Sequence, residues 1–481
     1  MGTGGRAVRW EALASRLSGG LVLPGAEDYD SARQLQLAEF DSVRPGAVAR
    51  CETEDDVVAC LEFARAHDVH LVPRSGRHSF AGWSTTEGLV VDLSALDHVA
   101  VRGDVVHVGP GAQSVDVLES LEPHGVAVAT GICPTVCAGG YLSGGGIGFQ
   151  ARKHGVASDR MVSARVVLAD GRVVDCSAEE EPDLFWALRG GGGGNFGIVT
   201  DFAVRPFTTE RMTGFTVMWQ WDQALDLLET WPHWLAAAPR ELGAETGVFL
   251  QDADPSATPV VLMIGTYLGA RAQAEAALGE LFSVAGLEPA MQQVHDDRPY
   301  HAAMAQFYET EGMSRRQRRR TGDNPEAVLP RQAFLRERHR LVSTPFARQT
   351  VADALEVFDG ERRAGQLRYF AYTGLGGAVN EVASDATAYA HRDTAYLAKF
   401  TLSGEQAPGT DEDEAAARAW VDRGFDTVDP HSNGHCYVNS PDPDLQNWQW
   451  AYYGDNHPRL AEVKKSVDPD GFFRFPQAIG S

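Results

Sequence analysis

Two glycine-rich stretches, at residues 139–148 and 190–197, constrain the fold of this chain more than any other feature. Runs of small residues let backbone N–H groups approach a pyrophosphate or a ring edge without an intervening Cβ. Just before the first stretch lies a thiol, Cys133, and a third run of small residues, 73–79, contains an imidazole, His78. The sequence therefore predicts loops that approach a ligand closely and carry two nucleophilic side chains.

Length and charge bound the class of protein. The chain has 481 residues, of which 43% are hydrophobic, and this is the composition of an ordinary globular protein of one or two domains. Its 42 Lys and Arg against 66 Asp and Glu give a net charge of −24, so the surface repels nucleic acid and anionic membranes. We therefore expect neither nucleic acid nor a membrane as a partner.

The cysteines and the first residues bear on the compartment. The six cysteines show neither the paired spacing of a metal site nor the density of a disulfide scaffold. His431, His435 and Cys436 likewise match no zinc spacing, so we expect no metal. The N-terminus has no apolar segment followed by a small-residue cleavage site, and no apolar run reaches the ~18–20 residues that span a bilayer. These features favour the cytoplasm.

Secondary-structure patterns divide the chain. Strands are predicted at 47–50, 70–73, 90–93 and 105–108, and helices at 54–67 and 115–122, which is an α/β layout. Thr53 is the predicted N-cap of the first helix, with Asp56 completing a capping box. From about Thr208 to Val428 amphipathic helices such as 272–284 alternate with strands such as 260–264. This change of character predicts a separate substrate domain.

The glycine spacing of a dinucleotide-binding fingerprint is present, but the secondary structure predicted around it does not match. Gly192, Gly194 and Gly197 have the G-x-G-x-x-G spacing, which needs a strand before it and a helix after it. Here residues 181–188 are predicted to be helical and 197–204 to form a strand. The reversed order argues against a Rossmann site.

Several segments together resemble one family. They are Pro73–Ser79, Gly131–Gly146, Asp183–Gly197, Trp450–Leu460 and Val467–Phe473. In these segments the chain resembles the berberine-bridge-enzyme-like branch of the vanillyl-alcohol-oxidase flavoproteins. The resemblance implies an α+β fold with a two-part FAD-binding domain, residues 1–207 and 429–481, and an inserted α/β substrate domain, residues 208–428.

The resemblance also implies covalent attachment of FAD. His78 matches the residue bonded to the flavin 8α-methyl carbon. Cys133, eleven positions before Gly144, matches the cysteine bonded to flavin C6, whereas Cys137 stands where the family usually has glycine. The alternative is an unreacted Cys133 thiol beside a singly attached flavin. Arg77 also departs from the family, which usually has glycine there.

Further FAD contacts follow from the same resemblance. Beyond His78 and Cys133 they are expected at Arg74, Ser75, Gly76, Arg77, Ser79, Val136, Gly140, Ser143, Gly144, Gly145, Gly148, Asn195, Gly197, Val199, Tyr453 and Asn456. Val136 stands where a small side chain leaves room for oxygen and a leucine blocks it, which favours an oxidase. The alternative is a valine that only packs beside the loop.

The catalytic base is not where the family usually has it. A tyrosine often follows the Tyr-x-Asn sequence, but Ser440 follows Asn439 here, and Ile147 replaces a second tyrosine after the triple glycine. Tyr372 is the first choice for a base, with Tyr369 and Tyr141 as alternatives. Each of them is equally compatible with a buried packing role.

The resulting hypothesis is an FAD-dependent oxidase. It would remove hydride from a C–H next to oxygen or nitrogen of a sizeable small molecule and reduce oxygen to hydrogen peroxide, as a tailoring step in secondary metabolism. Alternatives are a singly tethered amine oxidase, an enzyme performing an unusual oxygenation, and a flavin-binding protein without turnover. The sequence identifies neither the substrate nor the oligomeric state.

Overall fold

The computed structural model describes residues 8–209, 211–404 and 410–480. In chain order the strands are β1 (Leu21–Val22), β2 (Ala47–Arg50), β3 (Leu71–Arg74), β4 (Leu89–Asp92), β5 (Val99–Arg102), β6 (Val105–Val108), β7 (Val126–Ala127), β8 (Met161–Val167), β9 (Val173–Ser177), β10 (Ile198–Val204), β11 (Phe207–Thr208), β12 (Arg211–Trp219), β13 (Leu242–Leu250), β14 (Val260–Leu268), β15 (Met291–Val294), β16 (Arg298–Pro299), β17 (Phe334–Val342), β18 (Leu367–Gly374) and β19 (Tyr396–Gly404). The α-helices are α1 (Glu11–Ala14), α2 (Tyr29–Arg33), α3 (Glu54–His67), α4 (Ser114–Leu121), α5 (Ala138–Ser143), α6 (Ala151–His154), α7 (Pro182–Leu188), α8 (Ala224–Ala237), α9 (Arg271–Ala285), α10 (Tyr300–Phe307), α11 (Arg348–Asp359), α12 (Asp411–Val428), α13 (Trp448–Tyr453) and α14 (His457–Val467).

The first sheet has the order β1-β2-β4-β3, and its neighbours β2, β4 and β3 run parallel. Helix α3 covers one face with apolar side chains that include Val57 and Leu61. Its predicted bounds are confirmed, and so is the capping box. Thr53 Oγ1 accepts the Asp56 N–H at 3.2 Å, and the Asp56 carboxylate accepts the Thr53 N–H at 3.2 Å. A cap of this kind stabilises a helix by about 1 kcal/mol.

The second sheet has the order β5-β6-β10-β8-β9, with antiparallel neighbours throughout. Helix α7 precedes the glycine loop 190–197, and strand β10 follows it. The order helix, glycine loop, strand is therefore confirmed, and a Rossmann site is excluded at this loop.

A large antiparallel sheet follows, in the order β15-β12-β14-β13-β18-β19-β17, with β16 paired to β12. Helices α8, α9, α11 and α12 cover one face and enclose a core that contains Trp231 and Trp420. The opposite face carries Glu245 and Lys399, whose charges act on Cys133. This second face therefore borders the segment that contains the predicted attachment cysteine.

The C-terminal segment returns to the first part of the chain. Helix α14 packs against α7, and Lys464 Nζ donates to the Asn195 carbonyl oxygen at 2.7 Å. The predominantly antiparallel sheets with flanking helices confirm the α+β prediction. The domain limits at 207/208 and 428/429 stay a prediction. None of the helices in the described residues combines the length and the apolar character that a bilayer crossing requires.

Candidate active site

A large cleft gathers the loops that the glycine patterns predict. Its lining comes from within the segments 71–84, 133–143, 188–199, 438–453 and 473–477. It encloses about 1720 Å³ when the space at its open mouth is included. Most of the predicted FAD contacts line it: Arg74, Ser75, Gly76, Arg77, His78, Ser79, Cys133, Val136, Gly140, Ser143, Asn195, Gly197, Val199 and Tyr453.

Two cleft glycines have free space beside their Cα atoms, whereas other glycines of these loops are packed against protein atoms. A Cβ at Gly140 would meet nothing within 4 Å, and one at Gly193 would meet only the Gly140 Cα at 3.8 Å. A Cβ at Gly144, in contrast, would lie 2.0 Å from Asn439 Oδ1. The bare backbone at Gly140 and Gly193 is therefore available to an elongated ligand, as the binding of a dinucleotide cofactor requires.

His78 is held as a neutral nucleophile. Its Nε2 lies 2.8 Å from Thr135 Oγ1, on the loop that contains Cys133. Burial and the nearby Arg320 guanidinium lower the pKa of His78 from 6.5 to about 3. The imidazole is consequently unprotonated at neutral pH and retains a nitrogen lone pair, the form that can bond to an electrophilic carbon.

The two neighbouring cysteines differ in access. Cys133 is exposed and borders the cleft, and burial of the surrounding region raises its pKa while Lys399 opposes that rise. Cys137 is buried, and its Sγ donates to the Gly111 carbonyl oxygen at 3.1 Å. Burial raises the pKa of Cys137 to about 12. Geometry thus favours Cys133 as the reactive thiol, because Cys137 is enclosed and already hydrogen-bonded.

Two arginines beside His78 form ion pairs with neighbouring carboxylates. The Arg74 side chain is buried against Asp92, with Nη2 to Oδ2 at 2.5 Å. Arg77 has a φ of +62°, a left-handed conformation that favours glycine, and its guanidinium lies 3.1 Å from both Asp92 and Asp323. These ion pairs stabilise the strained backbone that the family's usual glycine would adopt freely.

The C-terminal segment fixes the glycine loop 190–197. Asn195 Nδ2 donates to the Gly191 carbonyl oxygen at 3.0 Å, and Asn195 Oδ1 accepts the Ile479 N–H at 2.9 Å. Tyr453 OH donates to the same Gly191 oxygen at 3.1 Å. The chain end therefore completes one wall of the cleft.

Four predicted FAD contacts do not reach the cleft. Gly144 packs against Asn439, Gly145 against the ring of Tyr389, and Gly148 against the Thr130 carbonyl oxygen. Asn456 is buried, and its Nδ2 donates to the carbonyl oxygens of Ser384 and Thr387. Protein atoms enclose each of them, and their assignment as cofactor contacts stays a prediction.

The first choice for a catalytic base, Tyr372, lies away from the cleft lining. Tyr372 is fully buried on the helix-covered face of the large sheet, between Trp231, Phe346 and Tyr396. Side chains alternate between the faces of a strand, so Tyr369, three positions earlier, points to the opposite face. There the Lys399 ammonium lies 5.5 Å from the Tyr369 ring centroid. Tyr369 therefore stays a candidate for the catalytic base, whereas Tyr372 is enclosed in the core.

Tyr141 and Tyr437 have different surroundings. Tyr141 borders the cleft, and its buried hydroxyl has no hydrogen-bond partner among the described residues. The Tyr437 oxygen accepts the N–H groups of Gly146 and Ile147 at 3.0 and 3.1 Å, and Asn439 Nδ2 at 2.9 Å. The Tyr-x-Asn sequence therefore holds the triple glycine in place.

A polar cluster beside Cys133 was missed from the sequence. Lys399 Nζ lies 2.7 Å from Glu245 Oε2, which also accepts the Thr373 hydroxyl at 2.7 Å. On the same face of the sheet, Glu337 Oε2 accepts the Thr401 hydroxyl at 2.8 Å. Charged residues within otherwise apolar strands such as Tyr396–Gly404 were the available signal. The searched part of the chain contains no group of three residues suited to hold a metal.

Comparison with known proteins agrees with this site. Residues 45–177 match the model of the FAD binding domain, and residues 436–480 match the model described as berberine and berberine like. Together these two segments contain His78, Cys133 and the Tyr437–Asn439 sequence, which all belong to the cleft region.

Full-length relatives extend the likeness to the whole chain. An uncharacterized FAD-linked oxidoreductase of Bacillus subtilis, YgaK, is 28% identical over 97% of both chains. A carbohydrate oxidase of Microdochium nivale is 27% identical over 98% of this chain and 94% of its own. The structure of berberine bridge enzyme from Eschscholzia californica shares the fold, with a TM-score of 0.86 and 22% identity over 98% of both chains. The chain is an FAD-linked oxidoreductase that is similar to berberine-bridge-enzyme-like proteins over almost its whole length.

Proposed function

We propose that this enzyme is an oxidase that holds FAD covalently through both His78 and Cys133. The observation that carries the proposal is that these two nucleophiles, on separate loops, line one cleft together with the open glycines Gly140 and Gly193. The double attachment would explain why the neighbouring backbone is so closely fixed. Ion pairs hold Arg77 in a left-handed conformation, and Thr135 hydrogen-bonds the His78 ring.

The protein's residues divide the work between binding and orientation. His78 offers an unprotonated imidazole, and Cys133 offers a thiol that Lys399 favours in its ionised form. Asn195 and Gly197 form the wall that the C-terminal segment completes. When bound, FAD accepts hydride from the substrate and passes the electrons to oxygen.

The substrate is a small molecule with a C–H next to a hydroxyl or an amine. Support comes from the polar cluster of Glu245, Lys399 and Glu337 beside Cys133, because such a cluster suits a hydrogen-bonding substrate. The carbohydrate oxidase among the relatives supports a hydroxyl-bearing substrate in particular. A tailoring step in secondary metabolism and a cytoplasmic location remain parts of the proposal.

Reaction with oxygen depends on Val136 in this proposal. Val136 borders the cleft and is half-buried, and its carbonyl oxygen accepts the Ser114 N–H at 2.9 Å. A fixed backbone and a short side chain leave space next to the loop that contains Cys133. A larger side chain at this position would fill that space.

The two half-reactions test the proposal separately. The purified enzyme is mixed anaerobically with a panel of primary alcohols, reducing oligosaccharides and benzylic amines, and bleaching of the flavin absorbance is followed. Oxygen is then added and hydrogen peroxide is measured. We expect at least one compound to reduce the flavin and one peroxide to form per flavin reoxidised.

Variants and failures separate the alternatives. Val136→Leu should slow reoxidation and leave flavin reduction unchanged. Reduction without peroxide formation would identify a dehydrogenase. A flavin that no compound in the panel reduces would favour a binding protein without turnover and would contradict the oxidase proposal.

A further inference from the structure

Glu337 occupies a row of side chains that crosses the large sheet. On β17 it pairs in register with Thr401 on β19, which pairs with Tyr369 on β18, which pairs with Phe249 on β13. Phe334 and Val342, at odd spacing from Glu337 on the same strand, pack into the core under the helices. Glu337 therefore lies on the opposite face, with Tyr369 and Lys399.

The Glu337 carboxyl is half-buried but has no counter-ion. Thr401 Oγ1 donates a hydrogen bond to it at 2.8 Å, and the Ser440 hydroxyl is close enough to lower its pKa. Among the ion pairs of residues 8–209, 211–404 and 410–480, none includes Glu337, whereas Lys399 lies 2.7 Å from Glu245. A half-buried carboxylate outside any direct ion pair is costly to a fold, so its retention points to a use.

The position of Ser440 connects this carboxyl to the cleft. Ser440 follows Val438 and Asn439, both of which line the cleft, and it stands where the resemblance leads one to expect a tyrosine base. The Glu337 carboxyl, on β17, is therefore close to position 440, where the resemblance leads one to expect the tyrosine. Glu245 and Lys399, beside it on the sheet, act electrostatically on Cys133, so the cluster lies on the Cys133 side of the cleft.

We propose that Glu337 is the catalytic base of this enzyme, a role that rests on the proposed oxidase function. Glu337 takes the O–H or N–H proton of the substrate while the adjacent C–H leaves as hydride, with its two electrons, to oxidised FAD. The substrate gains a C=O or C=N bond. Oxygen then takes up the two electrons and two protons and becomes hydrogen peroxide.

The surroundings tune this carboxyl for proton transfer. Burial and the negative charge of Glu245 raise the pKa of Glu337, and Lys399, Thr401 and Ser440 oppose that rise. Tyr369 and His339 also face this part of the sheet. A base whose pKa approaches the working pH combines a useful ionised fraction with a strong drive to accept the proton.

The first test needs no substrate. The infrared carbonyl band of protonated carboxyl groups is titrated in the holoenzyme, and the spectra of the variants are subtracted from that of the wild type. We expect a band that titrates above the ordinary glutamate range, is absent in Glu337→Gln and is present in Glu245→Gln. If Glu337→Gln keeps every titrating band of the wild type, the proposal is overturned.

The second test uses any alcohol or amine from the panel that reduces the wild-type flavin. Glu337→Gln should slow anaerobic flavin reduction by about 10²–10⁴, remove its rise with pH, and leave reoxidation by oxygen unchanged. Glu337→Asp should recover part of the rate. Reduction by Glu337→Gln at the wild-type rate would overturn the assignment. If the panel reduces no wild-type flavin, the oxidase proposal fails and the catalytic role of Glu337 is overturned with it, whereas normal reduction by Glu337→Gln would overturn the role of Glu337 alone.

Discussion

His78 Nε2 lies 2.8 Å from the Thr135 hydroxyl, 57 residues further along the chain, so the two predicted attachment loops touch each other directly. Thr135 stands two positions after Cys133, on the same loop. The contact fixes the distance between an imidazole and a thiol that belong to different parts of the sequence. Two bonds to a single rigid ring system need such a fixed spacing.

Arg77 tests how the His78 loop is stabilised. Arg77→Ala should lower the stability more than Arg77→Gly, by about 1 kcal/mol, because alanine keeps the left-handed backbone cost that glycine avoids. Both variants lose the ion pairs with Asp92 and Asp323. Urea unfolding of the two variants side by side measures the difference. Equal stability would show that the backbone at position 77 is not strained.

Tyr437→Phe should destabilise the protein. The change removes the acceptor of the Gly146 and Ile147 N–H groups, of which the first is buried and the second partly buried. A buried unsatisfied N–H costs about 1–3 kcal/mol, so we expect the free energy of unfolding to fall by roughly 2–4 kcal/mol. Urea unfolding measures this change, and an unaltered midpoint would argue against the clamp.

Tyr372→Phe is the control for Tyr437→Phe, because it removes a hydroxyl that makes no hydrogen bond within the described part of the chain. The buried Tyr372 hydroxyl has no partner among the described residues, so its removal leaves no donor or acceptor orphaned. We expect stability to be unchanged or slightly increased, and flavin reduction to keep its wild-type rate. A fall of 10²-fold or more in flavin reduction, measured anaerobically, would return Tyr372 to the catalytic site.

Acid should weaken the fold partly through His339. Its Nε2 accepts the Tyr437 N–H at 2.7 Å, and burial lowers the pKa of His339 from 6.5 to about 3. Below about pH 6.5 the unfolded chain therefore binds a proton that the folded chain does not, and stability falls by up to ~1.4 kcal/mol per pH unit toward pH 3. His339→Gln should make the decline of unfolding free energy between pH 6 and 4.5 less steep. An identical slope in the variant would refute this contribution.

Local patterns were sufficient for the first part of the fold. Helix α3 and its capping box follow from apolar spacing and from Thr53 and Asp56, which are all close in sequence. The convergence of His78 and Cys133 followed from the family resemblance, and the structure brings both to one cleft. Each of these features is encoded within a short segment of sequence.

The polar cluster of Glu245, Lys399 and Glu337 could not be predicted from the sequence, for a physical reason. Glu245 on β13 and Lys399 on β19 are 154 residues apart and meet across strand β18 through the register of the sheet, which a single sequence does not reveal. The sequence alone also could not decide between Tyr369 and Tyr372, for a related reason. Strand β18 has aromatic residues on both faces, so its sequence gives no cue as to which face the helices cover.

The most direct test of double attachment is the intact mass of the unfolded protein. Wild type should carry the mass of one FAD, and so should His78→Ala and Cys133→Ala, because one bond remains in each. Cys137→Ala, the control at the enclosed thiol, should match the wild type. The double variant of His78 and Cys133 should carry no FAD. Free FAD released from unfolded wild type, or complete loss of bound FAD in His78→Ala alone, would contradict attachment through both residues.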